Sequence, residues 1–168
     1  DEHIGATASG ILSDGRILIE RAQILSQQHR VIYDSPVDIH GLVKEICDVK
    51  QMYTQVGGAR PFGVSILFGG IDNQNPRLFV TDPTGIYFEY KDTAIGESET
   101  EIKEILFKRY KENITIDEGI KLSIDVLKQV LGKGYDLERV DGAFIRTSDR
   151  QFQRLRKDYI KKVIKEWI

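Results

Sequence analysis

The chain has 168 residues, of which 40% are hydrophobic and 30% are charged, as is typical of a compact globular domain. Its formal net charge of −2 argues against a nucleic-acid partner, which would need a basic surface. Its single cysteine excludes an internal disulfide framework, and no apolar run reaches the roughly 18 residues of a membrane-spanning helix. We therefore expect one soluble, cytoplasmic domain over residues 1–168, with neither a nucleic-acid nor a membrane partner.

The N-terminal part of the chain predicts one strand and two helices. Residues 4–10 are small and mostly apolar, which favours a buried strand. Ser13 or Asp14 is the expected N-cap of the first helix, and Asp38 is expected to cap the second after a turn at 33–36. The expected inner face of the first helix comprises Leu18, Ala22, Leu25, His29 and Ile32. That of the second helix comprises Ile39, Leu42, Val43, Ile46, Val49 and Tyr53.

The rest of the chain predicts strands and helices in blocks. Three extended segments come first: 62–71, 78–81 and 86–94. Then comes a helix over 98–111, and a second helix begins at a capping box of Thr115 and Glu118 and ends at Gly132 or Gly134. A strand pair and a terminal helix complete the predicted elements: 140–147, 151–155 and 157–167. Blocks of this kind favour an α+β fold with antiparallel sheets and outer helices over a βαβ repeat.

The most informative stretch is Tyr53-Thr-Gln-Val-Gly-Gly-Ala-Arg-Pro-Phe-Gly63. Its paired glycines allow a tight turn, and Pro61 disfavours helical backbone at Arg60, so the stretch predicts a helix end, a loop and a strand. Its residue pattern resembles the sequence element that distinguishes α-type subunits of the 20S proteasome, in particular the archaeal ones. Other segments resemble the same family in the same order: Ala8-Ser-Gly-Ile-Leu-Ser-Asp14, Tyr33-Asp-Ser-Pro36, Gly69-Gly-Ile-Asp72, Leu78-Phe-Val-Thr-Asp-Pro-Thr-Gly85 and Ala94-Ile-Gly96.

The resemblance implies a fold and a function. The family fold is a four-layer αββα sandwich, the Ntn-hydrolase architecture, and α-type members form seven-membered rings that cap the catalytic β subunits. The resemblance therefore implies a non-catalytic subunit without cofactor or metal, whose tasks are ring assembly, channel constriction and docking of activator ATPases in ubiquitin-independent protein degradation. Because the chain opens on Asp1 within a strand-like segment, we also expect that the N-terminal part of the usual domain is absent.

Two candidate sites follow from the resemblance. Gly10 and Ile11 match one side of the pocket that receives the C-terminal tails of activators. The loop that narrows the channel entrance corresponds to Val56, Gly57, Gly58 and Ala59. For Arg60, which follows this loop, we expect a structural ion pair with a carboxylate on a neighbour rather than a position lining the channel, because a guanidinium suits partly buried pairing.

The alternative function is a threonine-type peptidase subunit of the β kind. That chemistry needs an N-terminal threonine whose own amine acts as the base, whereas Thr7 lies inside a predicted strand. An unrelated Ntn-like domain with small-molecule chemistry would also need a nucleophile, and none is evident. Cys47 is expected to be a buried, inert thiol. The scattered residues His3, His29 and His40 do not share the spacing of a metal site.

The last twenty residues, 149–168, are basic, with seven Lys or Arg against three acidic residues. We interpret them as the solvated face of a helix rather than as a nucleic-acid or membrane contact. The apolar residues expected to pack beneath this face are Tyr159, Ile160, Val163 and Trp167.

Overall fold

The computed structural model describes residues 1–165 and contains six strands and five α-helices in that range. The strands are β1 (Ile4–Gly10), β2 (Val64–Asp72), β3 (Asn75–Thr81), β4 (Tyr87–Glu89), β5 (Ala143–Ile145) and β6 (Phe152–Arg154). The helices are α1 (Leu12–Tyr33), α2 (Ile39–Tyr53), α3 (Glu99–Arg109), α4 (Ile116–Leu131) and α5 (Lys157–Lys165). Two short 3₁₀ turns follow α4, at Gly132–Gly134 and Leu137–Arg139.

All strand pairs are antiparallel, as the sequence predicted. Strands β1 to β4 form one sheet in chain order, and β5 pairs with β6 in a separate two-stranded ribbon. In β2, the residues Val64, Ile66 and Phe68 are fully or almost fully buried, while the residues between them are half-buried. This alternation follows from the period of two along a strand and identifies the face of the sheet that the helices cover.

The main hydrophobic core lies between this sheet and helices α1 and α2. Leu18 of α1 and Ile46 of α2 are completely buried against the β2 residues, as their helical spacing predicted. A second cluster joins α4 to α5 through Ile120, Ile124, Ile160 and Val163. Ile160 and Val163 are therefore packed beneath the basic face as predicted, whereas Trp167 lies outside the described residues.

Helix α1 differs from the prediction at both ends. Neither Ser13 nor Asp14 is its N-cap: Ile11 occupies that position without a side-chain hydrogen bond. At the other end Ile32 is 69% exposed and does not belong to the inner face. Ile32 is exposed because α1 is longer than the strand beside it. The 22 residues of α1 span about 33 Å, whereas the seven residues of β1 span about 23 Å. The last turns of α1 therefore extend beyond the sheet that buries its beginning.

Helix α2 and the later elements follow the prediction with shifted limits. Tyr53, expected on the inner face of α2, is 38% exposed because it stands at the end of the helix. The third extended segment was predicted over 86–94, but β4 covers only Tyr87–Glu89, which pair with Phe79–Thr81 at the edge of the sheet. The predicted strands 140–147 and 151–155 likewise shrink to three residues each. The capping box of Thr115 and Glu118 is confirmed.

Candidate functional site

Of the two segments that were predicted to be functional, the Gly10–Ile11 turn lies against the end of the loop that carries the other, not against Val56–Ala59 itself. Gly10 is the last residue of β1, and Ile11 connects it to α1. The N–H of Ile11 donates a hydrogen bond to the main-chain oxygen of Gly63 at 2.8 Å, at the point where the 54–63 loop enters β2. The turn at Gly10–Ile11 and the C-terminal end of the loop therefore form one continuous backbone contact.

Gly10 is required for this close approach. Its φ angle is +119°, a backbone conformation that residues with a Cβ rarely adopt. A Cβ at this position would lie 2.4 Å from the main-chain oxygen of Gly63. A Cβ on Gly63 would in turn lie 2.6 Å from Cδ1 of Ile11. Glycine at position 10 thus allows the two backbones to approach each other, and Gly63 leaves room for the Ile11 side chain.

An ion pair reinforces the same contact. Arg60 donates two hydrogen bonds to the carboxylate of Asp14, at 2.7 Å to Oδ2 and 2.8 Å to Oδ1, and Gly63 N–H donates a third at 2.9 Å. We refer to Asp14, Arg60 and Gly63 as the clasp. Arg60 does form a structural ion pair, as predicted, but its partner is a carboxylate of the same chain and not one on a neighbour. Sequence reasoning missed Asp14 because it assigned this residue to the helix cap.

The two sides of the clasp have different environments. The Asp14 side chain is only 7% exposed, whereas the Arg60 side chain is 61% exposed. The hydrogen bonds from Arg60, followed by that from Gly63 N–H, lower the pKa of Asp14 to about 2. The carboxylate also lies in the first turn of α1, where the helix dipole favours a negative charge. The clasp therefore holds an ionised, buried carboxylate under a solvated guanidinium.

The depressed pKa of Asp14 makes the clasp sensitive to acid. Its folded pKa lies below the usual value of a carboxyl group in an unfolded chain, so its stabilising contribution is fully present above about pH 4 and is lost as the pH falls towards 2. We expect the Asp14→Asn variant to lose part of this acid dependence. The measurement is the free energy of unfolding from urea titrations between pH 2.5 and 7 for both proteins. Parallel pH profiles for the two proteins would contradict this expectation.

Beyond the clasp, the tip of the loop is open to solvent. All four residues Val56–Ala59 are exposed. A Cβ added to Gly57 or Gly58 would have no neighbour within 4 Å, and Gly58 has a φ of +83°. At the stem, the rings of Tyr53 and Phe62 pack with their centroids 4.9 Å apart. The loop therefore combines a fixed stem with a solvent-exposed tip.

Lys50 is the residue near this site that sequence reasoning missed entirely. It is completely buried at the C-terminal end of α2 and donates a hydrogen bond to the main-chain oxygen of Val64, the first residue of β2. The sequence does indicate this burial, because position 50 follows Ile46 and Val43 at helical spacing and so falls on the inner face of α2. Lysine is nevertheless a residue type that is seldom fully buried.

The residues considered for catalysis or metal binding are dispersed. Thr7 pairs with Leu67 within the β1–β2 ladder, and burial raises the pKa of the Cys47 thiol to about 12. The three histidines hydrogen-bond to different partners, namely Val37 O for His3, Ser35 O for His29 and the Tyr87 hydroxyl for His40. Within residues 1–165, no cluster of three or more His, Cys, Asp or Glu side chains could hold a metal ion. No helix in that range is both long and apolar enough to cross a membrane.

Comparison with known proteins gives a consistent result. The chain matches the family described as "Proteasome subunit" over residues 1–145. It is 45% identical over 166 residues to the "Proteasome subunit alpha" of Methanocaldococcus jannaschii, covering 99% of this chain and 63% of that protein. The proteins of the same name from Pyrococcus abyssi and Methanothermobacter thermautotrophicus are 42% and 40% identical, each over 99% of this chain and over 63% and 67% of their own lengths. The chain thus spans about 63% of the length of most of these curated relatives.

Proposed function

The chain belongs to the proteasome subunit family, and from this membership we propose that it is a non-catalytic, α-type subunit of the proteasome core particle. Its tasks are to build a seven-membered ring with copies of itself, to contact the β subunits, to narrow the entrance channel and to dock an activating ATPase. The subunit carries out these tasks in the cytoplasm, in ubiquitin-independent protein degradation. The four-layer αββα sandwich, with α1 and α2 outside one sheet and α4 and α5 beside the β5–β6 ribbon, is part of this proposal.

The observation that supports this function best is the form of the 54–63 loop. A constriction made of identical loops needs tips that are free of their own domain and stems that do not move. Val56–Ala59 are exposed, and the clasp ties the stem to α1 through three hydrogen bonds. The Gly10–Ile11 turn, which we propose as one side of the activator-docking pocket, contacts the same stem at Gly63.

A threonine-type peptidase role receives no support from the site. The nucleophile of such an enzyme is a threonine whose own α-amine is free to act as base. Thr7 lies in the middle of β1, and its α-nitrogen belongs to a peptide bond. We therefore assign the chain a structural role in the peptidase complex.

The proposal is tested by the association of the chain with itself. Three of the exposed apolar residues of helix α1, Ile17, Ile24 and Val31, are spaced seven residues apart and therefore lie on one line along the helix. A stable subunit interface buries more than about 1,000 Å² in total, and such a line is suited to part of it. We expect sedimentation equilibrium to show heptamers or larger species, and Ile24→Glu combined with Val31→Glu to shift the distribution to smaller ones.

The matched control adds the same charges at exposed polar positions off this line, as Gln23→Glu combined with Thr100→Glu on α3. This control should associate like the unaltered chain. Electron microscopy of the assembled species should show the Val56–Ala59 loops around a central opening. A monomer at micromolar concentration with a sharp thermal transition would contradict the proposed ring-building role.

A further inference from the structure

Lys50 connects three elements of the fold through one side chain. Its ammonium donates hydrogen bonds to Val64 O at 2.9 Å, to Thr81 Oγ1 at 2.7 Å and to Asp82 O at 3.1 Å. An ammonium group has three N–H donors, so these three acceptors satisfy it completely. The acceptors belong to the start of β2 and to the end of β3, while Lys50 itself belongs to α2.

The position of Lys50 carries a free-energy cost. The side chain is completely buried, and within residues 1–165 it forms no ion pair with a carboxylate. Burial lowers the pKa of its amine to about 8, because a desolvated ammonium is less favourable than a solvated one. An apolar side chain of similar length would fill the same space without this desolvation. The charge is therefore better explained by what it holds in place than by net stability.

What Lys50 holds in place is the base of the 54–63 loop. The loop connects the end of α2 at Tyr53 to the start of β2 at Val64. The hydrogen bond from Lys50 to Val64 O therefore joins the last turn of the helix directly to the first residue of the strand. The clasp fixes the same loop from the side of α1. The base of the loop is thus hydrogen-bonded to each of the two helices, whereas the exposed tip is hydrogen-bonded to neither.

We propose that Lys50 is a positioning residue that sets the direction of the 54–63 loop by fixing where α2 ends relative to where β2 begins. Its importance for channel constriction rests on the function proposed above, because the loop can narrow a channel only in a ring. Its physical effect concerns the single chain. Without the Lys50 ammonium, the helix end and the strand start remain packed but lose their direct connection, so the stem of the loop opens more often.

The test compares amide hydrogen exchange in the unaltered chain and in Lys50→Met, which keeps the length of the side chain but removes its donors. The reporting amides are those of Thr54, Gln55 and Gly63, which are hydrogen-bonded at the two ends of the loop. Because a hydrogen bond to a charged group is lost, we expect these amides to exchange at least about tenfold faster. Amides within α4, which belongs to the second core cluster, should keep their exchange rates.

The matched control is Lys44→Met on the same helix, where an exposed lysine pairs with Asp48. This variant should leave the exchange of the loop amides unchanged. A purely structural role for Lys50 would accelerate exchange throughout the β1–β2 ladder of the same core by the same factor as in the loop. That result, or unchanged loop amides in Lys50→Met, would overturn the proposal.

A second pair of variants applies if Lys50→Met does not fold. Thr81→Val removes one of the three acceptors without altering α2, whereas Thr81→Ser keeps the hydroxyl. Faster exchange at Thr54 and Gly63 in Thr81→Val but not in Thr81→Ser supports the proposal, and equal exchange in both contradicts it. Failure of the chain to form rings would leave these exchange rates unaffected, so the proposed function and this inference fail separately.

Discussion

Replacing Gly10 with alanine is expected to destabilise the fold by about 3 kcal/mol or more, because the added Cβ meets two separate obstacles. The φ angle of +119° is strained for any residue with a Cβ, and that atom would lie 2.4 Å from the main-chain oxygen of Gly63. To relieve the collision, the Gly10–Ile11 turn must move away from the loop stem and break the hydrogen bond from Ile11 to Gly63. Chemical denaturation followed by circular dichroism measures the loss.

The matched control for Gly10→Ala is Gly57→Ala at the tip of the same loop. A Cβ at position 57 has no neighbour within 4 Å, and its backbone does not require glycine. We expect this variant to unfold within about 0.5 kcal/mol of the unaltered chain. If Gly10→Ala were equally stable, the close approach of turn and loop would not be a property of the folded protein.

Replacing Arg60 with methionine is expected to have the second-largest effect. The substitution removes the guanidinium but leaves the Asp14 carboxylate buried, with Gly63 N–H as its remaining clasp partner. An ionised carboxylate without its partner costs more than the ion pair contributed, so the folding equilibrium constant at pH 7 should fall by about ten- to a hundredfold. The same variant should allow the pKa of Asp14 to rise, which NMR titration of its carboxyl carbon would detect.

Two further variants isolate the cause of this effect. Arg16→Met breaks a solvated pair with Glu20 on the surface of α1, and such pairs contribute little. Arg60→Met combined with Asp14→Asn removes the buried charge together with its partner, and we expect the double variant to be more stable than Arg60→Met alone. An Arg60→Met protein as stable as Arg16→Met would show that the clasp does not hold the loop stem.

Regular elements could be predicted from the sequence because their signals are local. The inner residues Ile39, Leu42, Val43 and Ile46 of α2, the antiparallel pairing of β2 with β3 and the capping box at Thr115 depend on residues a few positions apart, and the structure confirms them. The limits of the short strands were less predictable. Strand β4 ends at Glu89 although β3 extends beyond the paired residues, back to Asn75, and no local pattern encodes where this pairing ends.

The contacts around the candidate site join residues that are distant in the chain. Asp14 and Arg60 are separated by 46 positions, and Lys50 and Thr81 by 31. From local patterns, Asp14 is an acceptable N-cap, and Lys50 is a charged residue expected at the surface. Both expectations are wrong. In the tertiary structure each charged group is buried among hydrogen-bond partners that replace its hydrating water.

The sequence by itself therefore determined the family, the order of the elements and the exposed glycine turn at Val56–Ala59, since these depend on residue types in consecutive positions. Only the tertiary structure decided that the Gly10–Ile11 turn and the loop stem touch, and that Asp14 and Lys50 hold this stem from two helices. The physical reason is that buried charges are placed by their hydrogen-bond partners, and those partners become neighbours only when β1, β2 and β3 have paired and the helices have packed on them.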